Sequence, residues 1–137
     1  MSTDTAQASD ADLAKTFERL PRLLEADGDL IRRGACFNAR FQVRIGDVPF
    51  DVIVADGRIV SFERGPFVMR TWQFAVRGTA DAWRQFWKPV PAPGWHDLFA
   101  LSKRGVLTLE GDLHPLMSNL QYVKDLLALP RRTGVEH

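Results

Sequence analysis

The sequence predicts a single α+β domain, an antiparallel-type sheet with helices packed on one face and an apolar interior between them. Three observations carry that expectation. Ala35, Phe37, Ala39, Phe41, Val43 and Ile45 are apolar at every second position, with Cys36, Asn38, Arg40, Gln42 and Arg44 between them. That is the pattern of a strand with one buried and one wet face. The turn signals Gly46-Asp47 and Asp56-Gly57 then separate this strand from two further apolar segments, as in a meander. Near the end of the chain, Leu116, Leu120, Val123 and Leu127 form a helical stripe, with Leu113, Met117 and Leu126 beside it.

The elements follow in order. Residues 1–10 are rich in Ser, Thr, Asp and Ala and are expected to be a disordered tail; residues 11–130 form the domain, and 131–137 a flexible C-terminus. Leu13, Phe17, Leu20, Leu23 and Leu24 recur at helical spacing. Pro21 lies within that pattern and predicts a kink or two short helices, ended by Asp27-Gly28-Asp29. The first strand runs from Ala35 to Ile45. Phe50, Val52 and Val54 mark the second, and Arg58 to Glu63, with Ile59, Val60 and Phe62, the third. After Gly65-Pro66, Trp72, Phe74 and Val76 mark a fourth strand that ends at Gly78. Thr79 caps a short helix carrying Ala82, Trp83, Phe86 and Trp87. Pro89, Pro91, Pro93 and Gly94 make a stiff connection, and His96 to Lys103 a second short helix. Val106 to Glu110 is the fifth strand. A helix from about Pro115 to Leu129, stopped by Pro130, completes the chain.

Composition excludes several classes. A chain of 137 residues suits one domain and buries roughly two-thirds of its unfolded surface. Cys36 is the sole cysteine, so no internal disulfide forms, which fits a reducing compartment. The formal net charge is +1 and the charges are well mixed. Arg32-Arg33, Lys103-Arg104 and Arg131-Arg132 are isolated pairs rather than a basic stripe, so nucleic acid is not an expected partner. The N-terminal stretch is polar and acidic, and no segment is long and apolar enough to span a bilayer. A cytoplasmic protein is expected. Nine Phe and four Trp against one Tyr point to an apolar interior.

Signals for chemistry are weak. His96, His114 and His137 lack metal-ligand spacing, and Cys36 has no adjacent base. The glycines form neither a dinucleotide nor a P-loop pattern, so no cofactor is expected. His96-Asp97 and Glu110-Asp112-His114 contain acid–base groups, but a helix start and a turn explain their acids more simply. No catalytic residue is assigned. What remains is large apolar side chains on the strands and helices, which fill a core or line a cavity for an apolar ligand. Periodicity does not separate the two.

The run Phe41-x-Val43-x-Ile45-Gly46-Asp47, followed by Phe50-Asp51-Val52-x-Val54-x-Asp56-Gly57, resembles the opening meander of the sterol carrier protein 2 domain family. Gly105-x-Leu107-x-Leu109-Glu110-Gly111-Asp112, followed by a helix with Leu116, Met117 and Leu120, resembles that family's last strand, turn and closing helix. The resemblance covers about residues 35–129. It implies a five-stranded sheet with helices on one face and a hydrophobic tunnel between them. It further implies non-catalytic binding of fatty acyl chains, sterols or other lipids. By position, the sheet side of the tunnel would be Phe41, Phe50, Val52 and Phe74, and the helical side Trp83, Trp87 and Phe99. The lid would be Leu116, Met117 and Leu120. The Pro-rich stretch from Lys88 to Trp95 and the four tryptophans depart from the family's pattern, and the chain ends Val135-Glu136-His137 rather than in a peroxisomal tripeptide.

Three functions are therefore carried forward. The first is carriage of an apolar small molecule. The second is an interaction module, either a homodimer or a subunit supporting an enzyme of lipid or aromatic metabolism, with Trp95 as anchor. The third is a small enzyme on an apolar substrate that uses His96, Asp97 or His114.

Overall fold

A computed structural model describes residues 12–67, 71–88 and 90–131. The expected N-terminal tail over 1–10 lies outside these residues, as does the C-terminus beyond Arg131. Residues 12–17 are helical (α1), followed by α2 (Leu20–Glu25) and α3 (Gly28–Arg33). The strands are β1 (Ala39–Ile45), β2 (Val48–Ala55), β3 (Arg58–Arg64), β4 (Phe74–Gly78) and β5 (Leu107–Gly111). Between β4 and β5 lie α4 (Ala80–Phe86) and α5 (Leu98–Lys103), and α6 (His114–Ser118) and α7 (Leu120–Leu127) follow β5.

The five strands form one sheet in the order β3-β2-β1-β4-β5. Only β1 and β4 pair in parallel; the other three pairings are antiparallel. Alternation decides the faces. Phe41, Val43 and Ile45 of β1 are fully buried beside Phe50 and Val52 of β2 and Phe74 and Val76 of β4. This apolar face meets Phe17, Leu20, Leu24 and Leu30 from the first three helices in one core.

Pro21 sits in the first turn of α2, where its missing N–H costs nothing, and of the two outcomes expected there the chain makes two short helices. The structure corrects several other expectations. Asp27 does not end the helical region. Its carboxylate accepts from the Leu30 N–H at 3.1 Å and caps a third helix, α3. The first strand begins at Ala39 because residues 34–36 form a turn. β3 carries a bulge: Val54 pairs with Ile59 and Ile53 with Ser61, which leaves Val60 unpaired and 62% exposed. On an edge strand, that bulge disrupts the template for further strand pairing. The long last helix is two helices. Asn119 leaves helical geometry (φ −129°) and its side-chain amide donates to the Pro115 carbonyl at 3.2 Å. α7 then ends at Leu127, before Pro130 rather than at it.

Tyr122 fastens α7 to the rest. Its hydroxyl donates to the Gly57 carbonyl at 2.7 Å. Its ring covers Gly34, where an added Cβ would lie 2.2 Å from the ring. Gly57 (φ +80°) is itself pressed against the Gly34 and Ile31 carbonyls, where a Cβ would come within 2.7 Å. One side chain thus joins α7, the α3–β1 turn and the β2–β3 hairpin. The Arg33–Asp125 ion pair at 2.7 Å adds a second, solvent-facing link between α3 and α7.

Burial pushes the Tyr122 phenol from 10.0 up to about 12. Below about 10 both folded and unfolded chains hold the proton, and the stabilisation is fully present. Above that the unfolded chain loses its proton first, so stability falls as pH rises toward about 12. Tyr122 is the only tyrosine, so tyrosinate absorbance reads it alone. The folded protein should titrate near 12, the denatured one near 10. Tyr122→Phe should cost about 1–3 kcal/mol in urea unfolding by leaving the Gly57 carbonyl unpaired; an unchanged midpoint counts against this fastening.

Candidate functional site: the aromatic interior

The site assembles from alternate strand positions and one face of two helices. Phe41 and Phe74 are register partners on β1 and β4, and their rings stack 4.9 Å apart at 4°. Phe50 meets the edge of Phe17 at 4.9 Å, and Phe62 tilts against both. Phe17 stacks on Trp87 at 5.9 Å, Trp87 touches Trp83 at 5.1 Å, and Trp83 meets Phe86 edge-on at 5.9 Å. A continuous aromatic seam therefore runs from the β3 edge to α4. Each such pair adds about 0.5–1.5 kcal/mol beyond the area it buries.

α4 positions both indoles. Thr79 caps it by accepting from the Ala82 N–H at 3.0 Å, and Trp83 and Trp87 then fall one turn apart on the inward side. The Trp83 Nε1–H donates to the Arg44 carbonyl at 2.9 Å, and the Trp87 Nε1–H to the Leu127 carbonyl at 2.8 Å. Arg131 donates twice to the Phe86 carbonyl, at 2.9 and 2.7 Å, and lies 4.9 Å over the Phe86 ring. The indole N–H groups thus both reach backbone carbonyls, that of Trp87 at a buried position.

Of the residues singled out from the sequence, Phe41, Phe50, Val52, Phe74 and Trp83 are fully buried. Trp87 and Leu116 are also buried. These seven side chains pack within the core. Phe99 and Leu120 are half-buried. Phe99 lies at the α5–α7 boundary beneath the Lys124 amine, 5.1 Å from its ring. Met117 is 54% exposed, and Leu116 is the side chain that α6 buries. Phe17 is not among the residues singled out, yet it touches Phe50, Phe62 and Trp87. Its only mark in the sequence is an aromatic ring within a helical apolar stripe.

The acid–base candidates have structural partners. Asp97 pairs with Lys124 at 2.7 Å. Glu110 takes two hydrogen bonds from Arg77, at 2.9 and 3.0 Å. Asp112 accepts from the His114 backbone N–H at 3.1 Å. His114 Nε2 lies 3.3 Å from the Ser118 hydroxyl on the exposed side of α6, and His96 is exposed. Among the described residues, no group of three or more His, Cys, Asp or Glu is placed to hold a metal ion. No helix among them is long and apolar enough to cross a membrane.

Leu116→Ala should destabilise by about 2–5 kcal/mol, whereas Met117→Ala should change unfolding by less than about 0.5 kcal/mol. Equal effects in chemical denaturation would contradict the orientation of α6.

No family model matches the sequence, and no curated protein matches it. Solved structures do. A crystal structure of sterol carrier protein 2 superposes with a TM-score of 0.67 at 13% identity, over 85% of this chain and 94% of that one. A conserved hypothetical protein from Thermus thermophilus, described as possibly a sterol carrier protein, gives 0.59 at 12% identity, over 81% and 82% of the two chains. The ubiquinone synthesis protein UbiJ-SCP2 gives 0.53 at 14% identity, over 89% and 93%. The likeness extends over most of each chain, and this protein has the fold of the sterol carrier protein 2 domains.

Proposed function

We propose that this protein binds and carries an apolar small molecule, without catalysis, in the interior between sheet and helices. The observation that carries the reading is the aromatic seam itself. Its rings are continuous, and its indole N–H groups are satisfied by backbone carbonyls, so an apolar guest would meet no unpaired donor from Trp83 or Trp87. The likeness to sterol carrier protein 2 supports the same reading. The ligand class is a fatty acyl chain, a sterol or an isoprenoid. Phe41, Phe50, Val52, Phe74, Trp83 and Trp87 would contact it, with Phe99, Leu116 and Leu120 at the rim. Uptake means exchanging ring–ring contacts for ring–ligand contacts. α6 is the natural place to open, being five residues long with one buried side chain, whereas α7 is fastened through Tyr122, Leu127 and Asp125.

Ligand binding stabilises the folded state by RT ln(1 + [L]/Kd), or about 2.7 kcal/mol at a hundredfold excess over Kd. A fatty acid, a sterol and a prenyl alcohol at micromolar concentration should be tried in turn. The expected result is a raised Tm together with altered tryptophan emission for at least one. No change in either signal with any of them overturns the reading.

A second reading has its own support. The likeness to a ubiquinone synthesis protein spans nearly the whole of both chains. The Pro-rich connection also presents Trp95 half-buried, with the Arg104 guanidinium 4.8 Å over its ring. In that reading the protein supports an enzyme of lipid or aromatic metabolism. A second chain should then co-purify in fixed ratio and be lost on Trp95→Ala. A ligand-bound monomer with no second chain in native mass spectrometry would reject it.

A further inference from the structure

A cleft of about 410 Å³ lies at the end of the sheet, behind Trp83. Three connections wall it: the β1–β2 turn, the β4–α4 junction and the α5–β5 junction. These walls are pinned to one another. The Gly46 N–H donates to the Gly78 carbonyl at 2.9 Å, and the Thr79 N–H to the Val106 carbonyl at 3.1 Å. Arg44, Arg77 and Thr108 line the side that faces away from the helices.

The two arginines are an anomaly for a sheet. Arg44 and Arg77 are direct register partners on β1 and β4, so both side chains leave the same face. Like charges placed opposite one another destabilise a sheet. Arg77 is neutralised by its two bonds to Glu110. The Arg44 guanidinium is exposed and has no hydrogen bond or ion pair among the described residues. Its main chain is nevertheless held, because its carbonyl accepts from Trp83 at 2.9 Å. With Arg77 paired to Glu110, Arg44 is the cation of the lining that has no carboxylate partner among the described residues. Gly105 (φ +80°) leaves open space at its Cβ position.

We propose that this cleft binds a phosphate group, carried either by a free small metabolite or by a lipid headgroup, with Arg44 as the principal contact and Arg77 beside it. A guanidinium matches phosphate oxygens through paired N–H donors. The cleft is open to solvent, so a phosphate group on a larger molecule can reach Arg44 without a change of fold. An anion here gives the Arg44 guanidinium a partner of opposite charge. The site stands apart from the apolar interior and does not depend on what that interior holds.

The test is an amide NMR titration at constant ionic strength with inorganic phosphate, which has no apolar tail. A parallel arm measures binding to phosphatidylcholine vesicles with and without phosphatidic acid. Saturable shifts centred on Gly46, Thr79 and Gly105 would identify a free anion. Binding only to vesicles containing phosphatidic acid would identify a headgroup. Either should weaken about tenfold or more in Arg44→Glu. Because the Arg44 side chain has no partner to lose, that variant should keep its Tm, and Arg44→Gln provides a milder control. Absence of both responses overturns the proposal, and so does a response that Arg44→Glu leaves unchanged. Failure of apolar ligands to raise Tm would bear on the interior alone.

Discussion

The fold rests on where three ring donors go. Trp83, Trp87 and Tyr122 bury large rings, each with one N–H or O–H, and a buried donor left without an acceptor costs about 1–3 kcal/mol. None of the three bonds to a side chain. Each reaches a backbone carbonyl on a different element: Arg44 on β1, Leu127 at the end of α7, and Gly57 in the β2–β3 turn. The interior can therefore be apolar throughout while its rings are held in fixed positions. The same three bonds tie α4 to β1 and to α7, and α7 to the β2–β3 turn, so the helical layer cannot slide over the sheet without breaking one of them.

This arrangement requires glycines opposite the rings. An added Cβ at Gly78 would sit 2.7 Å from the Trp83 nitrogen, and one at Gly34 would sit 2.2 Å from the Tyr122 ring. The close packing of Trp83 on this strand end explains why Arg44 connects two regions of the molecule. Its carbonyl holds Trp83 on the inner side of the sheet, and its guanidinium faces the cleft on the outer side. A shift of β1 at Arg44 is felt by both.

Much of this was legible in the sequence, for identifiable reasons. Alternation from Phe41 to Ile45 and from Phe50 to Val54 reports burial directly, because side chains on a strand leave opposite faces. Thr79 was readable as a cap because its chemistry is local. The misreadings arose where one residue type serves two purposes. Asp27 resembles a terminator and acts as a cap; Asn119 sits inside an apolar helical stripe and breaks it through its own side-chain bond; Val60 continues an apolar run and occupies a bulge. The parallel β1–β4 pairing joins segments some thirty residues apart, and no local pattern encodes it. The candidate set was legible as apolar, but its ring-to-ring packing depends on shapes that meet only after α1 docks and brings Phe17 between Phe50 and Trp87.

That packing bears on how a carrier of this design would work. Among the described residues, the exposed large apolar side chains are Val60, Val90 and Met117, on three separate segments, and the rings of the seam are buried or half-buried. Opening costs about 25 cal/mol for each Å² of apolar surface exposed, and a guest that covers the same surface returns it. The net affinity is then set by how well the guest fits and by what the opening breaks. A route past α6 leaves the Trp83, Trp87 and Tyr122 bonds intact, whereas a route that lifts α7 breaks two of the three and strands buried carbonyls. The difference of several kcal/mol favours a protein that yields at one short helix and stays rigid elsewhere, with the indoles held in place to meet whatever enters.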